Sequence, residues 1–95
     1  MKKYEIMFIL RSNLEAEAVK AEIENAKNII TSNGSKVLDV NEWGFRELAY
    51  EIAGNKKGYY VVMNVEATKE AVNEFNRIAG YSETIIRHII IVEGE

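Results

Sequence analysis

The sequence predicts an α+β fold, a ferredoxin-like split β-α-β sandwich in which a four-stranded antiparallel sheet carries two helices on one face. Stretches with strand and helix periodicity alternate in the order β-α-β-β-α-β, and a glycine-bounded turn joins the two middle strands. Because crossover connections are right-handed, both helices fall on the same face of the sheet. A chain of 95 residues suits one modest core, so we expect residues 1–95 to form a single ferredoxin-like domain.

Two patterns predict the first strand and the first helix. Residues 3–10 alternate with strand period. The segment 12–15, Ser-Asn-Leu-Glu, has capping-box spacing, so we expect a helix to begin there. Asn33-Gly34 is expected to end this helix, since glycine readily adopts the left-handed conformation common after helix C-termini. The apolar stripe of the helix consists of Val19, Ile23, Ala26 and Ile30.

A long hairpin is predicted in the middle of the chain. Its first strand covers residues 36–52, with Gly44 marking a bulge or bend, and its second strand covers residues 59–67. The segment 54–58, Gly-Asn-Lys-Lys-Gly, is expected to form the turn between them. The odd positions of the second strand are uniformly apolar and are assigned to the core: Tyr59, Val61, Met63 and Val65.

The last helix and strand follow directly. Thr68 is expected to cap a short second helix, which Gly80 ends. Residues 84–92 are strongly β-branched and predict the fourth strand. These two elements complete the α+β sandwich.

Two helices cover only one face of a four-stranded sheet, so the opposite face is expected to be open. An open face rich in apolar side chains suggests a protein partner. The alternative is a one-residue error in the face assignment of the last strand, where both faces are apolar. On the first assignment Ile85 and Arg87 also lie on this face, and the residues predicted to contact a partner are Met7, Ile9, Tyr60, Val62, Ile89 and Ile91.

Composition narrows the class of protein. An apolar share of 47% and a charged share of 28% are typical of a soluble globular protein and argue against disorder. The chain has no cysteine, hence no disulfide, thiol nucleophile or thiolate metal site, and a cytoplasmic location suits it. No signal peptide or membrane-spanning run is recognisable.

Catalysis has little support in the sequence. There is one histidine, His88, and no nucleophile elbow or phosphate-binding glycine loop. A lone histidine in a strand is usually a structural residue, and no second group is spaced to work with it. We therefore expect no enzyme activity, no metal and no cofactor.

Nucleic-acid binding is possible but constrained by charge. The net charge is −3, whereas phosphate neutralisation supplies most non-specific affinity, so an RNA site must be a local cluster or be completed by a basic partner. Residues 57–64 begin like the third strand of the RNA-recognition motif, but Val61 and Asn64 stand where that motif has aromatic rings. Base stacking across the sheet is therefore not expected. Phosphate and groove contacts are predicted for Lys2, Lys3, Arg46, Lys56, Lys57 and Arg87, each of which could equally be a solubilising charge.

Trp43 has two possible roles. It reads most simply as a large residue packed beside the Gly44 bend. It could instead anchor a protein partner, since tryptophan is enriched at interface hot spots. The sequence leaves both roles open.

The segment 44–52, Gly-Phe-Arg-Glu-Leu-Ala-Tyr-Glu-Ile, resembles the signature of the bacterial small-subunit ribosomal protein S6 family. The opening residues 2–6, Asn13-Leu14, Asn33-Gly34 and the Arg87-His88 strand are similar to that family too, so the resemblance covers essentially the whole chain. It implies a ferredoxin-like fold, pairing with ribosomal protein S18, and binding to the central domain of small-subunit ribosomal RNA.

The resemblance also assigns roles to individual residues, with some departures. Arg46 corresponds to the basic position of the signature, while Lys2, Lys3 and Arg87 match basic positions that recur in the family. Phe45 and Glu47 stand where many members carry basic or amide side chains, which argues against direct RNA contact by the hairpin. The end of the chain, Glu93-Gly94-Glu95, is acidic, which argues against phosphate contact there.

Two hypotheses follow, from different functional classes. The first is a ribosomal protein that binds ribosomal RNA cooperatively with a basic protein partner. The second is a ferredoxin-like protein-interaction or ligand-binding module that self-associates through its open sheet. A metal-dependent or hydrolytic enzyme is a distant third.

Overall fold

The computed structural model describes residues 1–52 and 54–93, and it confirms the α+β sandwich. Gly94 and Glu95, on which the expectation about the acidic end depends, lie outside the described residues, as does Ala53. The sheet has the order β2-β3-β1-β4. The elements are β1 (Lys2–Arg11), α1 (Ala16–Ser32), β2 (Lys36–Ile52), β3 (Asn55–Ala67), α2 (Lys69–Tyr81) and β4 (Ile85–Glu93).

Strand β1 lies inside the sheet and pairs antiparallel with β3 on one side and β4 on the other. At its middle, Phe8 stands opposite Val61 of β3 and opposite His88 of β4. Strand β2 pairs antiparallel with β3 and forms one edge, while β4 forms the other edge. This order is the one expected when both crossovers are right-handed helical connections.

The core lies between the sheet and the two helices. The predicted stripe of α1 is buried there, and so are Val61, Met63 and Val65 of β3, which confirms the assignment of the odd positions. Phe8 of β1 and Phe75 of α2 are fully buried, with ring centroids 6.0 Å apart. Helix packing thus occupies one face of the sheet only.

Helix α1 begins later than the capping-box spacing predicts. Its N-cap is Glu15, and no side chain caps it. Ser12 has another role, because both its backbone N–H and its hydroxyl lie within hydrogen-bonding distance of the Asn55 Oδ1, at 3.2 and 3.1 Å. The serine that was expected to start the helix instead ties the end of β1 to the start of β3.

The other helix boundaries follow the sequence closely. Gly34 has φ 74° just beyond the C-cap of α1, as expected for a glycine that ends a helix. The Thr68 hydroxyl accepts a hydrogen bond of 3.2 Å from the Ala71 N–H, which confirms the predicted N-cap of α2. Gly80 does not end α2, which continues to Tyr81.

No helix within the described part of the chain is long and apolar enough to cross a membrane.

The turn of the β2–β3 hairpin is tighter than predicted. Gly54 occupies the turn with φ 81°, and Asn55 already pairs with Ile52. Lys56 and Lys57 therefore belong to β3 and do not form the tip of the hairpin. Lys56 and Lys57 were predicted to lie in the turn because a glycine stands on each side of them, but Gly58 belongs to strand β3.

A β-bulge in β4 corrects one face assignment. Ile9 pairs with Arg87 but Leu10 pairs with Ile85, so β4 contains one extra residue at this point. As a result Ile85 packs against the core beside the helices and not on the open face. From Arg87 onward the predicted alternation holds: Arg87, Ile89 and Ile91 stand opposite Ile9, Met7 and Glu5.

Candidate binding face of the sheet

The sheet face opposite the helices, called here the open face, divides into two halves along the strands. One half is polar and carries Lys3, Glu5, Asn64 and Glu66, which are register neighbours on β1 and β3. The other half lies toward the β2–β3 turn and is mainly apolar. The apolar half consists of Met7, Ile9, Tyr60, Val62 and Ile89.

The end of β2 crosses over the apolar half. Glu47 pairs with Lys57 and Ile52 pairs with Asn55, so the four residues 48–51 stand against the single residue Lys56 and leave the regular ladder. Residues 48–52 are called here the strap. Beneath it lies a hollow of about 200 Å³, lined by Met7, Ile9, Leu48, Ala49, Tyr50, Ile52, Tyr60, Arg87 and Ile89.

The strap and the neighbouring side chains correct the expectation of a fully open face. Ile9 is only 3% exposed because Leu48, Ile52 and the close backbone of Gly58 surround it. Val62 is 6% exposed, since it is a short side chain on an inner strand between Met7 and Asn41. The prediction that Ile9 and Val62 are exposed on the open face is therefore wrong.

The other predicted partner residues remain accessible. Met7, Tyr60 and Ile89 are half-buried. Ile91 is 51% exposed and lies on the edge strand β4. The accessible apolar surface thus extends from the middle of the face to the β4 edge.

An aromatic cluster lies on the β2 side of the open face. The Trp43 ring stacks on Tyr60, with centroids 6.2 Å apart and planes 6° from parallel. The Arg46 guanidinium lies 5.4 Å from the centroid of the Trp43 ring. The register shifts between Glu42 and Gly44, and Gly44 has φ 83°, which confirms the predicted bulge. The bulge places the indole beside Tyr60, where half of its surface stays exposed.

Three arginines lie at the turn end of the open face. Arg11 of β1 and Arg46 of β2 both stand opposite Gly58, and Arg87 of β4 stands opposite Ile9. Arg11 was not among the predicted site residues, although it continues the alternation of Met7 and Ile9 along β1. Its Nε is buried and has no hydrogen-bond partner among the described residues. The arginines concentrate positive charge beside the apolar half.

The Arg87 side chain also holds the strap. Its Nη1 donates a hydrogen bond of 2.7 Å to the Tyr50 hydroxyl. Tyr50 belongs to β2 and Arg87 to β4, so this bond joins the two edge strands of the sheet. Neither the strand pattern nor the residue spacing predicts this contact.

The predicted lysines do not form one site with the arginines. Lys2 and Lys3 stand opposite Ala67 and Glu66 at the far end of the sheet, about 30 Å from Arg11 at the usual rise of a strand. Lys56 and Lys57 are exposed on β3 near two carboxylates, Glu47 and Glu51. The structure therefore places Arg46 and Arg87 on the same open face, on its two edge strands, and leaves the four lysines at its periphery.

The polar groups on the helix-facing side of the hairpin are paired. The Tyr59 hydroxyl donates a hydrogen bond of 2.8 Å to the Glu42 Oε1. This bond, with smaller contributions from burial and from the Glu42 charge, raises the pKa of Tyr59 above its ordinary value. The Tyr59 ring contacts Phe45 edge to face, at 5.0 Å between centroids. This pair fixes β2 against β3.

His88 has a structural environment. Its Nε2 lies 2.7 Å from the Asn76 Oδ1 on α2, and its ring meets Phe75 edge to face at 6.2 Å. These contacts join β4 to α2. Among residues 1–52 and 54–93, no group of three or more acidic or histidine side chains is placed to hold a metal ion.

A second hollow, of about 350 Å³, lies between α1 and α2 on the opposite side of the molecule. Its floor is apolar and includes Phe75, Ala79 and Ile85, while Asn25 and Ser32 line it with polar groups. Glu22 is the titratable side chain of its lining. The described residues that line the hollow provide apolar and amide groups for contact, and they include no acid and base side by side.

These features define a class of protein: a small ferredoxin-like α+β domain with apolar side chains and arginines side by side on one sheet face. Such a surface is typical of macromolecular binding. The model of the family described as Ribosomal protein S6 matches residues 3–92, so the chain belongs to the ribosomal protein S6 family. The family, predicted above from residues 44–52, is thereby confirmed, and it is a family of small-subunit ribosomal proteins with a structural and not an enzymatic role.

The solved structures support the same assignment. The crystal structure of 30S ribosomal protein S6 from Thermotoga maritima is similar to this chain with a TM-score of 0.92. The two sequences are 28% identical, and the match covers 97% of this chain and 87% of that one. This likeness confirms the ferredoxin-like fold.

Proposed function

We propose that this protein binds the central domain of small-subunit ribosomal RNA together with ribosomal protein S18, as its heterodimer partner, on cytoplasmic ribosomes. Residues 1–95 act as one domain in this role, without a cofactor. The observation that supports the proposal best is the proximity of apolar side chains and three arginines on the open face. A protein and an RNA can both be bound by such a surface.

The apolar surface supplies the protein contact. Met7, Tyr60, Ile89 and Ile91 are accessible and form a continuous path toward the β4 edge. Burial of apolar area is the main favourable contribution to most protein association. Ile9 and Val62 contribute from below, since they shape the floor of this surface and are themselves buried.

The basic residues supply the RNA contact. Arg46 and Arg87, with Arg11 between them, offer planar donors that suit phosphate oxygens. Lys2, Lys3, Lys56 and Lys57 lie at the periphery, where they can contact further phosphates. A net charge of −3 limits what the chain does alone, so the partner is expected to provide the remaining positive charge.

A salt titration tests this proposal. Affinity for a central-domain RNA fragment is measured between about 50 and 200 mM salt, with the chain alone and with S18 added. The slope of log K against log salt reflects the number of neutralised phosphates. A shallow slope for the chain alone and a clearly steeper one with S18 are expected. Equal slopes, or no binding with S18 present, would contradict cooperative binding.

Self-association through the open sheet is the second candidate. The supporting observation is the β4 edge, where Ile91 and Val92 are 51% and 44% exposed. An exposed apolar edge strand is a template for pairing with a second copy. Sedimentation of the isolated chain separates the candidates: a concentration-independent monomer excludes the homodimer, while a stable homodimer without RNA affinity favours it.

A further inference from the structure

The strap is held differently from the rest of the sheet. Four of its residues, 48–51, face the single residue Lys56, so it lacks the regular ladder of β2. A hollow of about 200 Å³ remains beneath it, which means that its underside is not close-packed. Segments with few ladder bonds and loose packing open at lower free energy than the core around them.

One side-chain bond connects the strap to the far edge of the sheet. The Tyr50 hydroxyl accepts a 2.7 Å hydrogen bond from Arg87, although the Tyr50 side chain is 62% exposed. Arg87 belongs to β4, the strand that carries Ile89 and Ile91. The bond therefore spans the apolar half of the open face.

Moving the strap would change which surface is accessible. Ile9, only 3% exposed, lies under Leu48 and Ile52, and Met7 and Ile89 line the same hollow. Displacement would add Ile9 to the accessible apolar surface that extends to the β4 edge, and would expose more of Met7 and Ile89. It would also free the Arg87 guanidinium, which now donates to Tyr50. Both changes enlarge the surface that a protein and a phosphate would use.

We propose that residues 48–52 are a strap that closes the apolar half of the open face in the free protein, is latched by the Tyr50–Arg87 hydrogen bond, and moves aside when the protein partner binds. The partner step depends on the function proposed above, whereas the opening of the strap does not. The open state is the binding-competent one, so the partner's apparent affinity is reduced by the fraction of molecules that are open.

A thiol probe measures the opening directly. Because the chain has no cysteine, Ile9→Cys introduces a single thiol beneath the strap. Ile6→Cys places the same probe on the opposite, helix-covered side, where labelling requires unfolding. The labelling rate of each is compared with and without Tyr50→Phe, which removes the hydroxyl of the latch. Tyr81→Phe, which removes an exposed hydroxyl on α2, is the matched control.

Loss of the latch is expected to raise the labelling rate at position 9 by about fivefold, since the bond has a charged donor, which strengthens it, but is exposed to solvent, which weakens it. The rate at position 6 is expected to stay unchanged, and so are both rates with Tyr81→Phe. An unchanged rate at position 9, or equal increases at both positions, would overturn the latch.

Partner affinity gives the second readout. Tyr50→Phe, without any cysteine, is expected to bind S18 about fivefold more tightly than the wild type, since the open fraction rises by the same factor. Equal or weaker binding would overturn the role of the strap in partner access. If the wild type fails to bind S18, the proposed function fails, and the labelling rates alone then decide whether the strap opens.

Discussion

The Tyr50 hydroxyl accepts a 2.7 Å hydrogen bond from the Arg87 guanidinium, although Tyr50 lies on β2 and Arg87 on β4. Strands β3 and β1 separate these two edge strands in the sheet. The bond is possible because residues 48–52 leave the ladder and cross the open face above Ile9. The apolar surface that the fold would leave bare is thus partly covered by its own hairpin.

Ile91→Glu is expected to weaken binding of the protein partner by about tenfold or more, because it removes a buried aliphatic contact and adds a charge to the interface. Ile91 is half exposed in the free chain, so the variant should fold normally. Val92→Glu is the control, since the neighbouring side chain points to the other face of β4. Calorimetric titration with S18 measures both. Equal weakening by the two variants would place the contact at the β4 edge and not on the open face.

Arg46→Ala is expected to reduce affinity by a similar factor for RNA fragments of different sequence. It is also expected to lower the slope of log K against log salt by about one. The reason is the loss of one phosphate contact from the open face. Arg77→Ala on α2 is the charge-matched control and should leave the slope unchanged. Arg46 also lies over Trp43, so a loss of about 0.5–1 kcal/mol in the free energy of unfolding is expected as well. A stability loss without any change in the salt slope would show that Arg46 stabilises the fold and does not contact the RNA.

Gly58→Ala is expected to destabilise the fold by about 1–3 kcal/mol, because an added Cβ would overlap the Ile9 Cγ2 and crowd the Leu10 carbonyl oxygen. Chemical denaturation measures the change in the free energy of unfolding. Gly80→Ala is the matched control. It lies in α2 with open space around it, so alanine there should stabilise the helix by up to about 1 kcal/mol. Stability equal to the wild type in Gly58→Ala would refute the close approach of β1 and β3.

Tyr59→Phe is expected to lower stability at neutral pH by about 0.5 kcal/mol, the low end for a hydrogen bond, because the Tyr59–Glu42 bond is exposed to solvent. The pKa of Tyr59 is raised above 10 in the folded state by that bond. The stabilisation is therefore fully present below pH 10 and is lost as the pH rises through the folded-state pKa. Unfolding measured from pH 7 to 11 should show the two proteins converging at the alkaline end. A difference that grows with pH would contradict the assigned donor and acceptor.

Much of the fold was predictable because local patterns and tertiary packing agree. The stripe of α1, the Thr68 cap and the odd positions of β3 all lie where the sequence places them. Gly44 was also recognisable, since a lone glycine within a strand usually marks a bulge, and the bulge is present.

The failures come from long-range contacts and a bulge that only the paired strands reveal. Ser12 has capping-box spacing, yet its hydroxyl lies within hydrogen-bonding distance of Asn55, a contact that sequence separation hides. Ile85 was assigned to the wrong face because a one-residue bulge in β4 is invisible where both faces are apolar. Lys56 and Lys57 were assigned to the turn because glycines flank them, whereas Gly58 serves the close packing of Ile9.

The candidate site was only partly predictable. Arg46 and Arg87 were named from the strand pattern and the family resemblance, and both lie on the open face. Arg11 follows the same alternation and was overlooked. The strap could not be predicted from the sequence, because residues 48–52 have the pattern of a regular strand. Only the pairing of β2 with β3 shows that they leave the ladder.

A methyl-resonance map of the complex with S18 tests the central claim most directly. Met7, Ile89 and Ile91 report on the open face, while Ile23, Ile29 and Ile78 report on the helix side. If the open face binds the partner, the first three methyl signals shift on titration and the second three stay in place. Shifts confined to the helix-side methyls, with Met7, Ile89 and Ile91 unmoved, would contradict the account.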